Sequence, residues 1–101
     1  MLESNGVIII GHTTRNKTKL LNRVRRIRGQ VEAVERNLEN ETDCARILQL
    51  VAAVRGATNG LMAQLLEYHI RFHVVDPDRE ADPEKAKAAG ELIDVVHAYL
   101  K

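Results

Sequence analysis

Hydrophobic residues recur at spacings of three and four along three stretches of the chain, which is the period of an amphipathic α-helix. The first stretch runs from Arg15 to about Asn40, and Thr13 or Thr14 can cap its start. Its apolar stripe consists of Leu20, Leu21, Val24, Ile27, Val31, Val34 and Leu38. This pattern predicts a long first helix with one apolar face.

Two further helices follow from the same reasoning. The second, from Cys44 to His73, contains no proline and has an apolar stripe. That stripe is Ile47, Leu50, Val51, Val54, Leu61, Leu65 and Leu66. The third begins at Pro83, with Asp82 as its N-cap and Glu84 in its first turn. Its apolar face uses Leu92, Ile93, Val96, Tyr99 and Leu100.

The connection at 40–43 is so short that the two helices it joins must be antiparallel. Thr42 or Asp43 can cap the second helix. The sequence therefore predicts an all-α fold, a three-helix protomer with a long antiparallel helical hairpin. The third helix is expected to pack across this hairpin or on a neighbouring chain. Gly56 and Gly60 either permit close helix approach or are weak points of the second helix.

Composition agrees with helices and limits the location of the protein. The 101 residues are 45% hydrophobic but only 3% aromatic, which is typical of packed helices. The single cysteine excludes an internal disulfide and fits a reducing, cytoplasmic location. No apolar run approaches the roughly 18 residues of a membrane span. We expect a flexible arm at 1–11 and one helical domain at 12–101, whose small core favours oligomerisation.

Charge is strongly segregated although the net charge is only +1. The first half of the first helix carries seven basic residues and no acidic one: Arg15, Lys17, Lys19, Arg23, Arg25, Arg26 and Arg28. The acidic residues Glu32, Glu35, Glu39, Glu41 and Asp43 follow, against a single Arg36. Such a basic segment indicates a polyanion partner, while the alternative is a merely soluble surface. Without interleaved aromatic residues it favours duplex backbone contacts over single-strand stacking, and no helix-turn-helix is evident.

Candidate metal ligands stand at the two ends of the second helix. His69 and His73 lie one turn apart at its end, and Cys44 begins it, about 37 Å away. One helix cannot bring them to one ion, but two antiparallel copies can. The hairpin also returns His12 towards the histidine pair of its own chain.

Such a His/Cys set suits Zn, Ni, Co or Cu rather than Mg or Ca. Taken singly, a helical cysteine such as Cys44 is more often a small buried residue than a metal ligand, and His97 is expected to be an ordinary surface histidine. The sequence offers no nucleophile-base pair or phosphate loop, so we predict that the protein is not an enzyme.

Several of these segments resemble a known family. The run Arg-Val-Arg-Arg-Ile-Arg-Gly-Gln-Val-Glu-Ala-Val-Glu at 23–35, the single Cys44, the segment 48–62 and the following His-x-x-x-His closely resemble the CsoR/RcnR/FrmR family of metal- or formaldehyde-responsive transcriptional repressors. The resemblance covers residues 12–101. It implies an antiparallel dimer with a four-helix bundle, assembled as a dimer of dimers. Such a homotetramer binds operator DNA and releases it on ligand binding.

The resemblance also distinguishes branches of the family by their ligand positions. Copper sensors have Cys at the position of His73, and formaldehyde sensors have Glu there and a proline after the initiator. His12, Cys44, His69 and His73 match the nickel/cobalt-sensing, RcnR/DmeR-like branch. In that branch the first histidine lies almost at the chain start, where the terminal amine can join the metal, whereas here residues 1–11 precede it.

The DNA-contact positions that the resemblance implies are Arg23, Arg26 and Arg55, with Lys17 and Lys19 added from the same basic helix. The resulting hypothesis is a cytoplasmic Ni(II)/Co(II)-responsive repressor of a metal efflux gene, with Zn(II) as a further possible effector. One alternative is a formaldehyde-responsive repressor that uses Cys44 as a reactive thiol. The other is a metal-binding helical bundle without a DNA-binding role.

Overall fold

The protein consists of three α-helices in a computed structural model that describes residues 14–101, with side chains from Asn16 onward. The helices are α1 (Thr14–Glu39), α2 (Cys44–His69) and α3 (Pro83–Tyr99). The prediction of an all-α, three-helix protomer is therefore confirmed. The predicted arm at 1–11, the ligand His12 and a cap by Thr13 lie outside the described residues.

The hairpin turn between α1 and α2 is tight and well bonded. The N–H groups of Glu41 and Thr42 donate to the last turn of α1, and Glu41 adopts a left-handed backbone with φ of 55°. The Asp43 side chain accepts a hydrogen bond of 2.8 Å from the N–H of Arg46, so Asp43 is the N-cap of α2. This arrangement supplies partners for backbone groups that a helix end otherwise leaves unsatisfied.

The end of the second helix differs from its prediction. The α-helix stops at His69, and the chain continues as a π-helical turn, Ile70–Val74, which the N–H of Val75 closes by donating to the carbonyl of Ile70 at 2.8 Å. A π-turn has an extra residue in its hydrogen-bonded ring and is frequent at functional sites. The periodicity of three and four does not distinguish it from a last α-helical turn.

The third helix begins as predicted. Asp82 accepts a hydrogen bond of 2.9 Å from the N–H of Glu84, and Pro83 occupies the first helical position. Just after the other end of α3, the carbonyl of Lys101 accepts a hydrogen bond of 3.2 Å from the side-chain amide of Asn59 in α2. This contact holds the C-terminus of the protomer against the middle of α2.

Both α1 and α3 pack against α2, but α3 covers only part of the hairpin. We call that part, where α1 begins and α2 ends, the packed end. The buried hydrophobic residues all belong to it: Leu20, Ala63, Tyr68, Ile70, Ala89 and Ile93. The opposite part, around the 40–43 turn, is the open end. From 21 to 62 no residue of the protomer is buried.

Apolar side chains at the open end are therefore uncovered in the protomer. Val31, Leu38, Leu48 and Val51 are 49%, 57%, 63% and 47% exposed, respectively. Two shallow depressions lie there, one beside Val31 and Leu38 and the other beside Leu48 and Val51. None of the helices in the described part of the chain is long and apolar enough to cross a membrane.

Candidate metal centre and nucleic-acid interface

Two predicted ligands, His69 and His73, lie together at the packed end. Their imidazole rings stack with centroids 5.3 Å apart and planes inclined by 29°, and both residues are exposed. His69 is the last residue of α2, whereas His73 lies within the π-helical turn. The two imidazoles thus share one face, accessible from outside the protomer.

The third predicted ligand, Cys44, lies at the open end. It is the first residue of α2 and is exposed, one residue after the Asp43 cap. The rise of a helix places it about 37 Å from His69. Accordingly, within residues 14–101 of one protomer no three His, Cys, Asp or Glu side chains are grouped as a metal site.

The beginning of α1 does return to the histidine pair. The Tyr68 hydroxyl donates a hydrogen bond of 3.3 Å to the Asn16 side-chain oxygen, and Tyr68 is only 6% exposed. Tyr68 immediately precedes His69 in the chain. The hairpin therefore brings the start of α1, four residues after His12, beside the end of α2.

A cluster of ionic side chains forms around Arg71, which lies between the two histidines in the sequence. Arg71 contacts three carboxylates: its Nε lies 2.8 Å from Glu67, and its Nη1 lies 3.2 Å from Asp76 and 2.9 Å from Asp78. His97 of α3 joins the cluster, with Nε2 at 2.6 Å from the second oxygen of Glu67. We call these five residues the Arg71 cluster.

Charge and hydrogen bonding in the Arg71 cluster act on the carboxyl of Glu67. Partial burial by itself raises the pKa of Glu67, but hydrogen bonds from Arg71 and His97 outweigh it and hold the pKa below its usual value of 4.5. The hydrogen bond to Glu67 in turn raises the pKa of Arg71. Glu67 thus remains a carboxylate at neutral pH and can accept from both neighbours.

His97 is an exposed histidine, as predicted, but it also belongs to the Arg71 cluster. Its contact with Glu67 joins α3 to α2 across 30 residues of sequence. Sequence reasoning also missed Arg71. The spacing of Glu67 and Arg71, four residues apart on one helical face, was the available signal.

The predicted DNA-contact residues Lys17, Lys19, Arg23, Arg26 and Arg55 are all exposed. None of them forms an ion pair within the part of the chain that the structure describes. Among the described residues, their positive charge is thus not neutralised by an ion pair. An uncompensated basic surface attracts polyanions, chiefly through phosphate contacts.

These basic residues do not all share one surface. Lys19, Arg23 and Arg26 are spaced by four and three and lie on one face of α1, whereas Lys17, two residues before Lys19, lies on another. Arg23 reaches α2 at Gly60, where a Cβ atom would stand 3.0 Å from its guanidinium Nη1. The atom nearest to a Cβ at Gly60 is thus the end of a flexible side chain rather than the backbone of α1, and a Cβ at Gly56 would meet open space. Neither glycine marks a close approach of the two helix backbones within the protomer.

Arg55 lies on a different side of α2 from the contact with α1. It precedes Gly60 by five residues, a rotation of about 140° around the helix. With Leu48, Val51 and Ala52 it lines one of the two depressions of the open end. One protomer therefore does not place Arg55 beside Arg23 and Arg26.

Comparison with known proteins decides the family. A sequence profile of metal-sensitive transcriptional repressors matches residues 16–98. The chain belongs to this family. Its members are transcriptional regulators rather than enzymes, which agrees with the sequence prediction.

Two curated proteins and one solved structure illustrate these similarities. The transcriptional repressor RcnR of Salmonella paratyphi B is 38% identical over 92 residues, covering 91% of this chain and all of that protein. An uncharacterised protein in the bioA 5′ region of Serratia marcescens is 50% identical over 97 residues, also with 91% and full coverage. The solved structure of a glutamate-to-histidine variant of the formaldehyde-responsive regulator FrmR, from Salmonella enterica serovar Typhimurium, is 46% identical. It has a TM-score of 0.62, covering 87% of this chain and 98% of that chain.

Proposed function

We propose that this repressor responds to Ni(II) or Co(II), binding operator DNA without metal and releasing it when metal binds. The observation that carries the proposal is the exposed pair His69 and His73 at one end of α2, with the exposed Cys44 at the other. In an antiparallel dimer, Cys44 of one protomer meets the histidine pair of its partner. His12 completes the ligand set.

The donor chemistry fits such a metal. Imidazole and thiolate are borderline to soft ligands that suit Ni(II), Co(II) and Zn(II), and His69 and His73 are both exposed. Cys44 binds as a thiolate and the histidines bind as neutral imidazoles. Because protons compete for all of these groups, metal affinity is expected to fall at acid pH.

Charge supports the antiparallel arrangement of the dimer. The basic half of α1 belongs to the packed end, whereas Glu35, Glu39 and Glu41 belong to the open end. Antiparallel protomers place the packed end of one against the open end of the other, so opposite charges meet, whereas parallel protomers oppose like charges. The dimer also covers the apolar side chains that the open end leaves exposed.

The route from metal to DNA runs through the start of α1. Tyr68, adjacent to the ligand His69, holds Asn16, and the basic face of Lys19, Arg23 and Arg26 begins one turn further along α1. Metal binding that draws His12 towards His69 displaces this helix relative to α2. The coupling free energy of such systems is about 1 to 3 kcal/mol, or roughly 5- to 150-fold in DNA affinity.

Formaldehyde sensing through Cys44 is the second candidate. It is favoured by the exposed thiol and by the likeness to the formaldehyde-responsive regulator FrmR. His73 favours metal, because formaldehyde sensors are expected to have glutamate at that position. Membership of a repressor family argues against the third candidate, a helical bundle without a DNA-binding role.

A fluorescence-anisotropy titration with the upstream duplex of its own gene tests the function. The metal-free protein is expected to bind the duplex and to release it with Ni(II) or Co(II) but not with formaldehyde. The Cys44→Ala variant is expected to bind the duplex and to remain bound when either metal is added. Release of wild-type protein by formaldehyde alone would replace the metal proposal with the second candidate.

Mixing two inactive variants tests whether the site is shared between protomers. One variant is Cys44→Ala and the other combines His69→Ala with His73→Ala. In an equimolar mixture of dimers, half are mixed and each mixed dimer holds one intact site, so about a quarter of the wild-type Ni(II) capacity should return. A site built within one protomer would recover none.

A further inference from the structure

The π-helical turn that carries His73 is secured by a single arginine. Arg71 lies between the two histidines and contacts Glu67 in the last turn of α2, before His69. It also contacts Asp76 and Asp78, which follow the π-turn. Its guanidinium therefore spans the whole segment that holds both imidazoles.

The geometry suits the planar guanidinium group. Nε donates to Glu67 and Nη1 to the two aspartates, so different edges of one rigid group bind carboxylates on opposite sides of the turn. Arg71, Glu67 and Asp76 retain only 25%, 19% and 20% side-chain exposure, while Asp78 is 80% exposed. The contacts with Glu67 and Asp76 are thus the better shielded ones.

The same cluster is anchored to the rest of the protomer. Glu67 is held by His97 of α3, and Asp76 accepts a further hydrogen bond of 3.0 Å from the N–H of Asp78. Ile70, at the start of the π-turn, is 7% exposed in the core. Arg71 therefore links the connection 75–82 to elements that are fixed by packing.

We propose that Arg71 is a positioning residue of the metal site, whose contacts with Glu67, Asp76 and Asp78 hold the π-helical turn and thereby set the position of His73 relative to His69. This inference rests on the proposed metal function. Residues that orient metal ligands typically change metal affinity 10- to 100-fold when they are replaced. Arg71 does so through the backbone of the turn rather than by touching a ligand.

Hydrogen exchange of the metal-free protein tests the first half of the inference. The Val75 amide reports the π-turn directly, because its hydrogen bond to Ile70 closes the turn. Arg71→Gln should accelerate its exchange by about fivefold or more, and Arg71→Lys should restore only part of the protection. Arg79→Gln, an exposed arginine of the same link, is the matched control. Unchanged exchange of Val75 in Arg71→Gln would overturn the inference.

Metal affinity tests the second half through a double-mutant cycle. Arg71→Gln should weaken Ni(II) or Co(II) binding by about tenfold in the wild-type background but have little further effect in His73→Ala. Equal effects in both backgrounds would show a general structural role and overturn the inference alone. Failure of the wild-type protein to bind either metal would instead overturn the proposed function, and the role of Arg71 in a metal site with it.

Discussion

The packed end and the open end are built from the same two helices but differ in what covers them. At the packed end α3 lies on α2, and Tyr68, Ile70 and Ile93 are buried. At the open end α1 and α2 pack only against each other within the described part of the protomer, and Leu48 is 63% exposed. A stripe with a spacing of three and four thus identifies a buried face only when a third element is present to bury it.

The candidate metal ligands and the charged residues of α1 are also divided between the packed end and the open end. The histidine pair and the basic half of α1 lie at the packed end, whereas Cys44 and the acidic half of α1 lie at the open end. Under the proposed function, a protomer thus carries two incomplete halves of a metal site. In the proposed antiparallel dimer, each incomplete half faces the half that it lacks.

The largest effect is expected from a charge placed on the open end. Val51→Asp should dissociate the dimer, because a two-fold interface would bury the new carboxylate twice, at a cost of several kcal/mol each. Sedimentation velocity at several protein concentrations measures the change. Val95→Asp is the matched control, because Val95 on α3 is equally exposed (48% against 47%) and should retain at least the dimer. A dimer that survives Val51→Asp would show that the open end is not the interface.

A smaller effect is expected from a cavity at the packed end. Ile93 is 5% exposed between α3 and α2, so Ile93→Ala should lower the free energy of unfolding by about 2 to 4 kcal/mol. Urea denaturation measures this loss. Val95→Ala, on the exposed side of the same helix, should cost less than about 0.5 kcal/mol. Equal losses in the two variants would contradict the burial difference between the faces of α3.

DNA binding should distinguish the basic and acidic halves of α1. Arg23→Ala combined with Arg26→Ala should weaken binding and reduce the slope of log K against log salt by about 2, as two phosphate contacts are lost. Anisotropy titrations at several salt concentrations give the slope. Arg36→Ala removes a charge from the acidic half and should leave the slope unchanged. An equal decrease in Arg36→Ala would indicate a general charge effect.

The smallest expected effect is the pH dependence that Glu67 contributes to stability. Its pKa is lower in the folded than in the unfolded chain, so its contribution is complete above pH 4.5 and is lost as the pH falls through the lower folded value. Glu67→Gln should flatten this part of the stability curve, measured by thermal denaturation between neutral and acid pH. Glu91→Gln, an exposed carboxyl of α3, should leave it in place.

Local signals in the sequence were sufficient to predict most of the helix boundaries. Asp43 and Asp82 act as N-caps, Pro83 opens α3, and α1 ends within one residue of its predicted end, because caps and helical periods depend on residues close in sequence. The π-turn at Ile70–Val74 was not predictable in this way. Arg71 contacts three carboxylates across this turn and Ile70 is buried in the core, and the periodicity of the sequence reports neither contact.

The sequence by itself determined three helices, the segregation of charge along α1, and potential metal ligands at opposite ends of α2. These features arise from residue type and spacing within single elements. Only the tertiary structure decided which end of the hairpin α3 covers, that His97 bonds to Glu67, and that the histidines lie on an α-to-π junction. The reason is that contacts between residues far apart in sequence select among local conformations that the same short pattern allows.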